Sequence, residues 1–300
     1  MRTVLVTGAG GFIGSALVRR LVADDSVPRL LLRRAPSPPA PATEVVVGDV
    51  TDPEVLRRAM AGAETVVHLA AATSGGRVDP AVAFRVNVGS ASALVAAARA
   101  SGTRIITLST QHVYLARPGL YGRTKRMADR IFLDSGLPVV ILRPSLVYGP
   151  GTRGVFVKLA GLVRQLPVLP VIGPGTWRMR PVFLEDLLNV ILALLARPDL
   201  HGRVYDVGGP EVVTYNEFVS AIATALGRRL HTIHLPVPAS YALAWTLERL
   251  LPKPPLTTEN VHGAQYDAHC DPRALLRDLP PARTPLADGL RRTLAGSAHA

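Results

Sequence analysis

The sequence predicts a doubly wound α/β fold: a parallel sheet covered by helices on both faces, with a smaller second domain interleaved at the C-terminal end. Three observations predict it. Short continuous runs of Val, Leu and Ile recur with helical patterns between them, and strands buried on both faces read that way. The first run ends in a glycine-rich stretch, TGAGGFIG (7–14), that leads directly into a helical pattern. From about residue 150 the rhythm breaks into pieces divided by Pro and Gly, which marks a second unit.

Taken in order, TVLVTG (3–8) is a short, β-branched run ending in glycine, a buried strand. FIGSALVRRLVAD (12–24) spaces its apolar residues as a helix does. PRLLLRR (28–34) is a second strand, and APSPPAPAT (35–43) a Pro-rich loop. EVVVGD (44–49) is a third strand, followed by a helix that Asp52 caps and Pro53 opens. ETVVHLAA (64–71), RIITLST (104–110) and PVVILRPSLVYG (138–149) supply three more strands, separated by helices at 79–100 and 121–135. The second unit mixes helix and turn, with a helix in FLEDLLNVILALLA and a strand in RVYDVGG. Helical pieces follow at 215–226, 238–251 and 285–294, and there is no internal repeat.

Hydrophobic residues make up 48% of the 300 residues, ample for one large core or a large and a small one. No apolar run approaches the ~18–20 residues that span a bilayer, and the apolar start is too short for a signal sequence. The single Cys270 excludes an internal disulfide and agrees with a reducing compartment. A cytoplasmic protein with no membrane partner is expected. The formal charge of +12 comes from scattered single and paired arginines, with aromatics only 5% of the chain, so it does not build the stacking groove of a nucleic-acid binder. A phosphorylated small molecule suits that charge better.

The loop 7–14 does not carry GxGxxG, because Ile stands at position 13; its triad is Gly8, Gly11 and Gly14. Glycines between a first strand and a first helix let the backbone approach a pyrophosphate at the helix N-terminus. This makes the fold a Rossmann-type one and implies a dinucleotide. The end of the second strand then discriminates, since an acid there binds ribose hydroxyls. Here Arg33 and Arg34 stand in its place, a pair suited to a 2′-phosphate. NADP(H) is favoured over NAD(H), although two solvated arginines before a loop would read the same. Asp49, ending the third strand, suits an adenine amino group or a simple turn cap.

Tyr121 and Lys125 are four apart and so stack one turn above the other on a helix. Only three of the chain's 34 basic residues are lysine. A lysine at that spacing therefore suggests a required ammonium rather than a generic surface charge.

With these pieces in place the chain resembles the extended short-chain dehydrogenase/reductase family of nucleotide-sugar epimerases, dehydratases and 4-ketoreductases. The resemblance rests on TGAGGFIG, GDVTD (48–52), HLAA (68–71), Asn87, STQHVY (109–114), YGRTK (121–125), LRPSLVYGP (142–150), FLEDL (183–187) and YDVGGPEVVTYNEF (205–218). It implies an NAD(P)-binding domain over 1–150, completed by about 181–210. A substrate-binding domain would then comprise 151–180 and 211–300. It implies that Tyr121 exchanges a proton with a secondary alcohol or ketone, that Lys125 holds ribose hydroxyls and that Thr110 hydrogen-bonds the substrate oxygen. Lowering a tyrosine from ~10 to near 7 is worth roughly 4 kcal/mol, and Lys125 with the oxidised ring is expected to supply it. Phe12, Ile13, Val50, Leu69, Ala70, Ala71, Asn87, Pro144 and Val147 would line the cofactor. Thr73, Arg178 and Arg180 would face the substrate beside Thr110. A homodimer through the helices at 79–100 and 121–135 is implied as well.

The departures concern the substrate. Family members with nucleotide sugars carry RDFVYVxD, whereas this chain reads RMRPVFLED, with Met179 in the arginine position. That text is also similar to relatives of 3β-hydroxysteroid dehydrogenases and of a complex I accessory subunit. The expected enzyme is thus a reductase or epimerase of a nucleotide-linked sugar. The alternatives are a dehydrogenase/reductase of a hydrophobic alcohol of steroid or polyketide type and a non-catalytic cofactor-binding protein. His231, His234, His262, His269 and Cys270 form no recognisable metal frame, and no GxSxG elbow occurs. The amphipathic stretch 238–251, with Trp245, reads as core or a lid in preference to a membrane-surface helix.

Overall fold

In a computed structural model of the chain the described residues are 3–24, 26–35, 43–73, 78–152, 154–251, 254, 256–280 and 283–295. Most of the Pro-rich loop expected at 35–43 lies outside them. The first half alternates β1 (Val4–Thr7), α1 (Phe12–Ala23), β2 (Arg29–Leu32), β3 (Glu44–Val47), α2 (Pro53–Met60), β4 (Thr65–His68), α3 (Pro80–Ala83), α4 (Ser90–Ser101), β5 (Arg104–Leu108), α5 (Leu120–Leu133) and β6 (Val139–Pro144). Then come β7 (Val147–Tyr148), α6 (Val155–Gln165), β8 (Val168–Ile172), β9 (Arg178–Met179), β10 (Val182–Phe183), α7 (Leu184–Ala196) and β11 (Arg203–Val207). The chain continues through β12 (Val213–Thr214), α8 (Tyr215–Ala225), β13 (His231–Leu235), α9 (Val237–Leu250), α10 (Thr258–Gly263), α11 (Arg273–Asp278) and α12 (Leu286–Ala295).

Seven strands form one parallel sheet in the order β3-β2-β1-β4-β5-β6-β11. The order reverses at β1, where the next strand added is β4. Ligands of open α/β sheets sit at such a switch point, beyond the carboxyl ends of the strands. β1, β4 and β5 are buried throughout, which is why their sequences run apolar without alternation. One apolar layer includes Leu17 and Leu21 of α1 with Leu187 and Ile191 of α7; the opposite layer holds Leu56 and Met60 of α2, Leu94 of α4 and Phe132 of α5. A third apolar cluster, around Tyr148, Phe156, Phe183, Phe218 and Leu290, lies among the elements that follow β6.

Two expectations change. The helix expected at 79–100 runs through Pro80–Ser101 but contains a π-helical stretch, Phe84–Gly89. By length and composition it could cross a bilayer, yet Ala91, Leu94 and Ala98 are fully buried against the sheet side, so it is a core helix. The stretch 238–251 is not core. α9 buries only Ser240 and Ala244 and leaves Leu243, Trp245 and Leu250 exposed.

Candidate active site

At the end of β1 the chain turns through Gly8 with φ +71°. A Cβ there would lie 2.6 Å from the Ala70 backbone nitrogen, so glycine lets the loop touch the end of β4. A Cβ on Gly14 would lie 2.2 Å from the Gly8 carbonyl oxygen. Gly11 N–H donates to that same oxygen at 2.9 Å. Gly10, by contrast, has only Leu32 within reach of a Cβ, at 3.9 Å, so close packing does not require glycine there. Gly11 caps α1 without a side chain, leaving the first-turn N–H groups without a capping oxygen. Phe12 and Ile13 pack their side chains on the core, so what they present to a ligand is backbone N–H. The cradle fits a pyrophosphate.

Arg33 and Arg34 are exposed beyond β2. Asp49 accepts from the Thr51 N–H at 2.9 Å and the Thr51 hydroxyl at 2.8 Å. Those bonds, with the charges of Arg33 and Arg85, hold its carboxyl below the usual range. Val50 is half-buried against the α2 side of the core. Arg85, from the π-helical stretch, is a neighbour that the sequence pattern does not single out.

On the other side of the glycine loop, Leu69, Ala70 and Ala71 leave β4 half-buried, and Thr73 is exposed. Asn87 governs this segment. Its Oδ1 accepts from Ala72 N–H at 2.8 Å, and its Nδ2 donates to the Ala72 carbonyl at 3.0 Å and to Thr124 Oγ1 at 2.9 Å. Rather than offering a free amide, Asn87 ties the segment after β4 to α5. His68 is buried between Thr7 Oγ1 at 2.8 Å and Ser90 Oγ at 3.4 Å. Burial, reinforced by the Lys125 charge, lowers it to about 3, so it stays neutral.

Thr110 ends the β5 segment and caps the turn Gln111–Tyr114, its hydroxyl oxygen accepting from His112 N–H at 3.3 Å. Among the described residues that hydroxyl donates to no protein acceptor. Tyr121 lies in the first turn of α5, edge-on to the His112 ring with centroids 6.2 Å apart. Lys125 is 3% exposed, and its ammonium makes no hydrogen bond or ion pair among the described residues. Burial lowers it to about 8, partly offset by Asp129. In the cofactor-free chain burial, with the Asp129 carboxylate adding, pushes the Tyr121 phenol up to about 12. The lowering expected from Lys125 together with an oxidised nicotinamide ring belongs to the loaded site.

The short segment between Thr110 and Tyr121 is closed by direct contacts. Gly122 permits it, since a Cβ would lie 2.7 Å from Pro118 Cβ and 2.9 Å from the His112 carbonyl. Arg126 donates to the carbonyls of Val113 and Leu115. Behind Lys125, Asp129 pairs with Arg143 at 2.9 Å. Arg143 donates to Tyr114 Oη at 2.8 Å, which donates to Asp206 at 2.8 Å. The sequence reading misses this network, although Asp129 repeats the four-residue spacing that singles out Lys125. Pro144 and Val147 stand at the end of β6 and in β7. Arg178 is exposed and feels Glu217, whereas Arg180 donates to the Gly209 carbonyl at 3.3 Å.

A sequence model of the NAD dependent epimerase/dehydratase family matches residues 4–208. Ceramide reductase of Caulobacter vibrioides is 33% identical over 241 residues, which cover 78% of this chain and 74% of that protein. 2-Alkyl-3-oxoalkanoate reductase of Stenotrophomonas maltophilia is 29% identical over 289 residues, 85% of this chain and 86% of that one. Among solved structures, MoeE5 in complex with UDP-glucuronic acid and NAD superposes with a TM-score of 0.76 at 26% identity, covering 99% of each chain.

Proposed function

The chain belongs to the NAD dependent epimerase/dehydratase family, and from that premise we propose that it reduces a ketone to a secondary alcohol with NADPH as the favoured cofactor. The observation that carries the direction is that two relatives matching most of this chain are reductases by name. In that direction Tyr121, four residues before the buried Lys125 on α5, serves as the acid. In the oxidative direction the same residue would serve as the base.

The glycine cradle and the unpaired Lys125 both fit a dinucleotide, with Gly8, Gly11, Gly14, Phe12 and Ile13 around the pyrophosphate. When bound there, the nicotinamide would supply hydride to the carbonyl carbon. Thr110 donates a hydrogen bond to the carbonyl oxygen and orients it. Tyr121 passes its proton to that oxygen as negative charge develops. Lys125 holds the ribose hydroxyls, and its positive charge favours the phenolate that the transfer leaves. Asp49 would accept from the adenine amino group, and Arg33 with Arg34 would hold the 2′-phosphate. Val50, Leu69, Ala70, Ala71, Pro144 and Val147 complete the lining, with Thr73 toward the substrate.

We read the substrate as an amphiphilic ketone. Among the relatives, one reductase has an alkyl-substituted ketone in its name and another an amphiphile, ceramide. The second reading, a nucleotide-linked sugar, is favoured by the likeness to MoeE5. The exposed Met127 and Leu133 of α5 support pairing of two chains through that helix. The test is turnover of NADPH and NADH with long-chain 3-ketones and with UDP-4-keto sugars. Reduction of the ketones with NADPH preferred supports the proposal; tightly co-purifying NAD with epimerisation of a UDP-sugar contradicts it.

A further inference from the structure

At 100° per residue, the exposed arc of α9 carries Pro238, Ala239, Ala242, Leu243, Trp245, Thr246, Arg249 and Leu250. Leu250 is 72% exposed, Trp245 51% and Leu243 45%. The helix has one acidic side chain, Glu248, and it turns away from this arc to accept from the Thr258 N–H at 3.1 Å and the Thr258 hydroxyl. The one charge left on the arc is Arg249, whose guanidinium lies 3.6 Å over the Trp245 ring. A helix of ~21 Å therefore presents an apolar face whose only charge is positive, on a chain of net charge +12. Isolated exposed apolar residues are ordinary, but a contiguous helix face of them marks a contact surface.

Through α10 the same helix connects to the segment that leads into the candidate active site. Tyr241 Oη lies 3.4 Å from His262 Nδ1, and His262 Nε2 lies 2.8 Å from the Arg117 carbonyl. Arg117 belongs to the short segment between Thr110 and Tyr121. The α9–α10 hairpin is thus seated against the segment that leads into the site.

We propose that α9 lies flat in the surface of an anionic lipid bilayer. Leu243, Trp245 and Leu250 would enter the acyl boundary, with Arg249 at the lipid phosphates. An indole suits that depth, and an arginine stem runs along apolar surface while its head meets the phosphate. A membrane satisfies both the apolar face and its positive charge, whereas the same α9 face on a second copy offers Arg249 no anionic partner. An amphiphilic ketone then enters the site from the lipid. That last step rests on the proposed reductase function; the docking does not.

The test is co-sedimentation of the full chain with vesicles of phosphatidylglycerol and phosphatidylcholine in equal parts, and with phosphatidylcholine alone. The mixed vesicles should bind, the neutral ones much more weakly. Leu250→Glu and Arg249→Glu should each lower the bound fraction at least tenfold, with thermal unfolding and turnover of a short, water-soluble ketone unchanged. No wild-type binding to the anionic vesicles, or equal binding by both variants, overturns the proposal. So does a Leu250→Glu variant that turns a dimer into a monomer while still binding vesicles. Vesicle binding needs no turnover, so it stands or falls apart from the reductase assignment.

Discussion

The Arg143 guanidinium lies 2.9 Å from the Asp129 carboxylate, one helical turn past Lys125 on α5. The carboxylate of this pair lies behind the candidate site and raises Lys125 against the lowering effect of burial. Asp129→Asn should therefore lower the Lys125 pKa further below about 8. The alkaline fall in kcat/KM should move to lower pH, and stability should drop by on the order of 3 kcal/mol as Arg143 loses its partner. An unmoved alkaline limb would show that the carboxylate does not act through Lys125.

Lys125 itself strains the cofactor-free fold. Its folded value of about 8 lies below the unfolded 10.5, so the unfolded chain holds the extra proton between those values. Stability contributed by this group is lowest below about pH 8 and recovers as pH rises toward 10.5. Lys125→Met should stabilise the cofactor-free protein by roughly 2–3 kcal/mol at pH 7, with the gain fading by pH 10, while weakening nicotinamide binding. Urea unfolding at the two pH values checks this; a variant less stable at pH 7 would contradict it.

The glycine loop makes a contrast between neighbours. Gly14→Ala places a Cβ 2.2 Å from a backbone carbonyl, whereas Gly10→Ala meets nothing closer than 3.9 Å. Dinucleotide affinity should fall at least a hundredfold in the first and change less than threefold in the second, by fluorescence titration. Equal losses would mean that the cradle is not where the pyrophosphate sits.

Asn87→Ala removes three hydrogen bonds at once, two to Ala72 and one to Thr124. With about 1 kcal/mol for each bond and more for groups left unpaired, the expected loss is about 3 kcal/mol. Hydrogen exchange should rise at residues 69–73 before it rises in β4. Unchanged exchange there would leave Asn87 as packing alone.

The first half of the fold is legible because strands buried on both faces must be written in continuous apolar runs, as VLVT and TVVH are. The glycine triad is legible too, down to the spare Gly10, since only backbone approach demands glycine. The π-helical stretch around Asn87 is not, because an Ala-rich helix keeps its pattern through the extra residue. The Asp129–Arg143 pair joins residues that only the placement of β6 beside α5 brings together. The direction of the Tyr121 shift depends on burial, which YxxxK does not encode. α9 shows the same limit: its apolar pattern says that a face exists, but not what covers it.

The most direct test of the proton-donor role is pre-steady-state reduction by Tyr121→Phe, with cofactor affinity measured alongside. A proton-donating Tyr121 predicts a rate at least a thousandfold below wild type with NADPH affinity within threefold, because only the proton donor is removed. A variant that reduces the ketone at near wild-type rate would contradict it.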